Sequence, residues 1–173
     1  MVLLLGGGTH TGKTVTAQRL LERYHWPYLS LDHLKMGLIR SGLCPLTPES
    51  PEEELTGFLW PIAREMVKTA VENRQNLMVE GCYLPFDWKA DFPPEYLEHI
   101  RAVWLIFSAR YIQRHQAEIQ AHANDVEHRL RDEWSPEELM EENRRNLEGC
   151  RAWGCRYVLI DDRYEVPLRI EDL

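Results

Sequence analysis

Apolar residues along this chain fall into five short runs separated by stretches with helical spacing. Residues 2–5, 28–32, 76–81, 102–107 and 156–161 are each mostly apolar over four to six positions, the pattern of strands covered on both faces. Between the first two runs, Ala17, Leu20, Leu21 and Tyr24 recur at the i, i+3, i+4 spacing of an amphipathic helix over 15–24. A second helix is expected over 33–41, closed by Gly42, followed by a loop over 44–54 rich in proline and acid. Ser50-Pro51-Glu52-Glu53 then reads as a helix start, and Leu55, Leu59, Ile62, Met66 and Ala70 form its apolar stripe, with Pro61 expected to kink or split it. Residues 83–94 read as a loop and 110–130 as helical. Ser135-Pro136-Glu137-Glu138 opens a last helix running to about Gly149. Apolar strands alternating with helices imply parallel pairing through right-handed crossovers, hence a three-layer α/β sandwich.

Length and charge narrow the class. At 173 residues the chain suits one domain with a sizeable core, and 44% hydrophobic against 28% charged residues excludes a disordered chain. A formal net charge of −8 argues against nucleic-acid and anionic-membrane binding, so a small anionic ligand would need dedicated basic residues. No apolar run approaches the ~20 residues of a membrane span, and Met1 leads straight into a strand without a signal pattern, so a cytoplasmic protein is expected. Cys44, Cys82, Cys150 and Cys155 include no CxxC pair and are expected as reduced thiols. The seven histidines lack ligand spacing, so no metal held by protein alone is expected.

The first strand feeds Gly7-Gly8-Thr9-His10-Thr11-Gly12-Lys13-Thr14, which fits the Gly-x4-Gly-Lys-Thr phosphate loop, and the strand–turn–helix context that the motif requires is present. A polyphosphate needs many donors at short range, and a glycine-rich turn points successive backbone N–H groups inward. The helix beginning near Lys13 adds its positive end, Lys13 reaches the β- and γ-phosphates, and the Thr14 hydroxyl is placed for Mg²⁺. His10 either contacts phosphate or points outward. Asp32 closes the second strand on the rim where ligands of parallel sheets gather. Two roles are open to it: orienting or deprotonating an acceptor hydroxyl, or capping the next helix.

With these motifs in this order, nearly the whole chain resembles the P-loop kinases of small molecules, the group containing shikimate and gluconate kinases, nucleoside monophosphate kinases, chloramphenicol phosphotransferase and zeta toxins. The resemblance implies a five-stranded sheet in the order 2-3-1-4-5, ATP with Mg²⁺, and a small hydroxylated acceptor. It implies that Asp32 meets the acceptor hydroxyl, that Arg40 binds substrate, and that Glu80-Gly81 lies near metal and acceptor. Glu80 stands where many relatives carry Asp and could act through a water on Mg²⁺; capping the strand end is its other reading. An arginine-bearing lid over about 114–135 is implied too, with Arg110 and Arg114 following the fourth strand and Arg129 and Arg131 within the lid. These arginines face phosphate or pair with nearby acids such as Glu118, Asp125, Glu127 and Asp132. Trp60, Tyr83, Phe86 and Trp88 either line an acceptor pocket or pack the sheet.

A nucleoside monophosphate acceptor would need several arginines around the second helix, where Arg40 stands out alone. A nucleotide-dependent switch would show an Asn-Lys-x-Asp signature or an Asp-x-x-Gly after the third strand, and neither occurs. ATP-dependent phosphoryl transfer to a hydroxyl is therefore the expected activity.

Overall fold

The computed structural model describes residues 1–122 and 135–172. Five strands, β1 (Val2–Gly7), β2 (Tyr28–Ser30), β3 (Leu77–Glu80), β4 (Ile100–Phe107) and β5 (Arg156–Ile160), form one parallel sheet in the order β2-β3-β1-β4-β5. The central strand β1 is buried along its whole length, and its side chains alternate between two cores. Val2 and Leu4 pack on one face with Leu55, Leu59, Ala63 and Val67 of α3 (Glu52–Glu72), while Leu3 and Leu5 pack on the other with Ala17 and Leu20 of α1 (Lys13–Tyr24). The period of two along β1 thus creates the three layers. At the sheet's far edge a third cluster joins Phe107 and Ile160 to Tyr111 and Ile112 of α5 (Ala109–Arg114), Ile119 of α6 (Gln116–Ala121) and Leu139 of α7 (Pro136–Trp153).

Several elements depart from the sequence reading. β2 stops at Ser30, whose extended backbone caps α2 (Leu31–Arg40); Leu31 is driven into the core, so Asp32 lies in the first helical turn and not on the strand. In α3, Val67 and Ala63 take the buried positions expected of Met66 and Ile62, because the 3.6-residue turn carries the buried face round; Met66 is 40% exposed. Pro61 does not split the helix. The carbonyl its ring orphans belongs to Gly57, an exposed residue with nothing within 4 Å of a would-be Cβ, so the ring is accommodated. The single helix expected after β4 is instead broken at His115, whose ring bonds the Glu118 carboxylate (2.9 Å) and the Asp162 carbonyl (3.0 Å) and stacks on Tyr111. Residues 123–130 of that stretch lie outside the described residues.

The start of α7 is as expected: the Glu138 amide donates to Ser135 Oγ (3.1 Å) and the Ser135 amide to the Glu138 carboxylate (3.0 Å). The helix runs on past Gly149 to Trp153. Gly149 marks a close approach, since a Cβ there would strike the Phe86 ring. A short helix α4 (Pro94–Leu97) precedes β4. Trp60, Tyr83 and Trp88 are buried in the α3-side core, and Phe86 lies against Trp104, so packing is their role apart from the Tyr83 hydroxyl and the Trp60 indole N–H, which donates to Asp91 Oδ2 at 2.7 Å. Cys44, Cys82, Cys150 and Cys155 are free thiols. No described helix is long and apolar enough to cross a membrane.

Candidate active site

The site begins where β1 ends. Gly12 adopts φ 78° as the residue preceding α1, a left-handed conformation that favours glycine, and a Cβ there would also collide with the Tyr164 hydroxyl. Thr11 is buried, with its Oγ1 donating to the Gly8 carbonyl at 2.8 Å. Lys13 is 6% exposed, and its Nζ donates to the same carbonyl at 2.7 Å, so the ammonium folds back over the loop it would serve. Burial pulls the Lys13 pKa down, but the neighbouring Cys82, Glu80, Glu142 and Asp32 outweigh it, and the net displacement is upward. Lys13 therefore stays cationic.

The end of β3 sits beside this loop because β1 and β3 pair in parallel, with Leu5 opposite Glu80. Glu80 is 1% exposed, and its Oε2 accepts from the Thr14 hydroxyl at 3.3 Å. These two oxygens suit a hard divalent cation that takes its remaining ligands from phosphate and water. Among the described residues no group of three His, Cys, Asp or Glu could hold a metal ion by itself. Gly81, at φ 159°, brings the chain against α2; a Cβ there would stand 2.7 Å from Leu31 Cβ.

The neighbouring rim comes from the start of α2. Asp32 Oδ1 accepts from Lys35 Nζ at 2.7 Å, and the same ammonium donates to the Tyr83 hydroxyl at 2.8 Å. Burial lowers the Lys35 pKa, yet the Asp32 carboxylate and the Tyr83 contact raise it further than burial lowers it. Burial and Asp32 push the Tyr83 hydroxyl up to about 12, and burial pushes the Cys82 thiol up to about 11. This rim thus carries a neutral thiol and phenol beside a charged Asp32–Lys35 pair.

On the other side of the loop, the Thr9 amide donates to Glu142 Oε1 of α7 at 2.8 Å, and the Thr9 hydroxyl to the same oxygen at 3.1 Å. The Tyr164 hydroxyl donates to the Thr11 carbonyl at 3.3 Å. A cavity of about 200 Å³ opens beside the loop, lined by Gly12, Val15, Phe107, Tyr111, Ile119 and Tyr164 among others. Phe107 lies 4.7 Å from Tyr111 and edge-on to Tyr164, which makes this an aromatic slot next to a phosphate cradle.

A five-stranded parallel sheet in the order 2-3-1-4-5, with a phosphate loop after its central strand, is shared with solved kinases. The fold is that of the P-loop kinases of small molecules. The chain is similar to a protein from Chloroflexus aurantiacus assigned as a kinase by inference, at TM-score 0.57 and 16% identity over 99% of this chain and 92% of that one. It is also similar to shikimate kinase from Bacteroides thetaiotaomicron, at TM-score 0.52 and 16% identity over 99% and 93% of the two chains. A sugar kinase from Janibacter matches at TM-score 0.51 and 15% identity over 95% and 86%. No protein-family model matches the chain, and no curated protein matches it significantly in sequence.

Within this kinase fold the structure gathers Gly7 to Thr14, Asp32, Glu80 and Gly81 at one end of the sheet. The arginines that follow β4 are held by acids that follow β5. Arg110 and Arg114 of α5 pair with Asp161 and, at 3.7 Å, Asp162, and all four side chains are exposed. Arg40 is exposed in the last turn of α2, eight residues and about 12 Å of helix rise from Asp32. Arg129, Arg131 and the body of the expected lid lie outside the described residues. His10 takes a left-handed backbone (φ 60°) and lines the aromatic cavity. Sequence reasoning missed Lys35, Glu142 and Tyr164. Lys35 carried a signal, its i, i+3 spacing from Asp32. Glu142 had none among the charges of α7, and Tyr164 none in the polar stretch after β5.

Proposed function

We propose that this protein is a phosphotransferase that moves the terminal phosphoryl group of ATP to a hydroxyl of a small molecule. The observation that carries the reading is the convergence of Lys13, the Thr14–Glu80 pair and Asp32 at the carboxyl ends of three adjacent strands. A site that only bound nucleotide would have no use for the Asp32–Lys35 pair on the rim facing the phosphate loop. The kinase fold and the kinases that share it support the same reading.

In the proposed reaction the loop amides and Lys13 hold the β- and γ-phosphates, and the base lies in the aromatic slot. Thr14 and Glu80 would hold Mg²⁺, which neutralises charge on the phosphates when bound. Asp32 accepts a hydrogen bond from the acceptor hydroxyl and aims its oxygen at the γ-phosphorus. Lys35 fixes the carboxylate for that work. The new O–P bond forms as the bond to the β,γ-bridging oxygen breaks; ADP leaves, and the hydroxyl proton passes to Asp32 and then to solvent. Most of the rate comes from positioning and charge, as expected for a loose phosphoryl-transfer transition state.

The test is mass spectrometry of products from ATP–Mg²⁺ and a mixed panel of sugars, polyols, nucleosides, antibiotics and other hydroxylated metabolites. A phosphorylated product is expected from the wild type. It should fall by about 10²-fold or more in Asp32→Asn, consistent with loss of a positioned proton acceptor. Nucleotide hydrolysis indifferent to Asp32→Asn, with no acceptor phosphorylated, would overturn the reading.

A further inference from the structure

The phosphate loop is occupied by the protein's own carboxylate. Glu142 Oε1 takes the Thr9 amide (2.8 Å) and the Thr9 hydroxyl (3.1 Å), and a Cβ on Gly8 would stand 3.1 Å from the Glu142 carboxyl carbon. Lys13 Nζ meanwhile bonds the carbonyl of Gly8, the residue before Thr9, so the carboxylate lies on the lysine side of the loop. That is the β/γ end of a bound triphosphate. We propose that Glu142 is a built-in competitor for the terminal phosphate, one that a nucleoside triphosphate must expel to seat and a diphosphate need not.

The inference rests on the proposed nucleotide site and deepens it. An N–H group has one proton to donate, and a carboxylate left against a γ-phosphate would set two anions side by side. The helix that carries Glu142 is anchored where it stands. The adjoining Asn143 is 1% exposed, accepts from the Phe107 amide at 2.8 Å and donates to the Leu139 carbonyl at 2.8 Å. Gly149 holds the same helix against Phe86. Displacement is therefore a rotation of the half-buried Glu142 side chain, leaving α7 in place. Glu142 then acts as a specificity residue for the donor, lowering affinity for triphosphate relative to diphosphate and leaving the terminal-phosphate position filled while no nucleotide is bound.

Calorimetry with ADP and a non-hydrolysable ATP analogue, on wild type and Glu142→Gln, tests this directly. Removing the charge should tighten the analogue by about tenfold, the scale of one charge-assisted hydrogen bond, and change ADP by less than about twofold. Equal gains for both ligands, or weaker analogue binding, would overturn it by making Glu142 a support for the loop. Wild-type crystal structures probe the same displacement without a variant: the carboxylate should remain on the Thr9 amide with ADP and leave it with the analogue. Retention of that bond beside a bound triphosphate would sink the proposal. Absence of any nucleotide binding to wild type would instead remove the kinase reading, and this inference with it.

Discussion

Thr14 and Thr9 belong to one loop, yet their partners reach them by different routes. Thr14 meets Glu80 through the sheet: β1 and β3 pair in parallel with Leu5 opposite Glu80, so the register that buries Leu3, Leu5 and Met78 also delivers the carboxylate. Thr9 meets Glu142 from 133 positions away, through the packing of α7, and Thr11 meets Tyr164 from 153 positions away, through the segment after β5. One wall is specified by backbone hydrogen bonding, the other by helix and loop packing. Side chains on the first wall are fixed by the same contacts that make the core, whereas those on the second reach the loop through partly buried side chains of α7 and the segment after β5. Under the proposed reaction this becomes a division of labour, with the sheet wall holding what phosphoryl transfer needs and the packed wall holding what adjusts it.

The harshest way to test that division is to remove one residue from the loop itself and one from the packed wall. Lys13→Ala takes away the only described lysine buried against the loop and should weaken ATP binding by about 10²-fold or more, two charge-assisted hydrogen bonds' worth. Tyr164→Phe removes one hydroxyl from the Thr11 carbonyl and should cost only about two- to fivefold. Calorimetric titration of both variants measures the two losses. Comparable losses would show that the packed wall does more than adjust the loop.

How much of the molecule is legible in its sequence follows the same line. The five strands, the phosphate loop, the cap at Ser135 and Asp32 on the rim are readable because each is a local pattern: an apolar run, a spacing, a capping pair. The end of β2 is not, because Leu31 fits a strand as well as a buried first helical turn, and only the core decides. The helix after β4 reads as unbroken because its interruption at His115 is held by Glu118 in the next turn and by the distant Asp162 carbonyl. The site partners from the packed wall are invisible for the same reason. Glu142 is one acid among many on α7, and nothing near it in sequence shows that it faces Thr9 rather than solvent.

A second measurement sharpens the contrast within the sheet wall. Cys82 follows Gly81 at the end of β3, and burial raises its thiol from 9.0 to about 11, with Lys13 pulling the other way and Glu142, Asp32 and Glu52 adding to the rise. At pH 8 about one thiol in a thousand is then ionised, so alkylation by iodoacetamide should run about 100-fold slower than for an unperturbed cysteine. The rate should climb about tenfold per pH unit until pH 11. The sign for stability follows: the folded state keeps a proton that the unfolded chain gives up, so Cys82 destabilises the fold as pH rises from 9 through 11. Peptide mapping of the alkylated protein reads the rate at this one thiol, and rapid labelling at pH 8 would show the end of β3 to be open to solvent.

The smallest effect belongs to the arginines of α5 that pair with acids after β5. Arg110 and Asp161 are each about half exposed, at 50% and 46%, and their ion pair lies in high dielectric where such pairs contribute about 0–1 kcal/mol. Ser108 and then Arg110 hold the Asp161 carboxyl below its usual range. Arg110→Ala should therefore lower the urea-unfolding free energy by less than about 1 kcal/mol, and added salt should erase most of the difference. Its effect on catalysis discriminates between two tasks. If Arg110 leaves Asp161 for phosphate during turnover, kcat falls by about 10-fold or more while stability barely moves; if the surface pair is its whole role, kcat and stability both stay near wild type. The exposed pairing with Asp161 favours the second outcome, and a large loss of kcat would move Arg110 into the machinery of the loop.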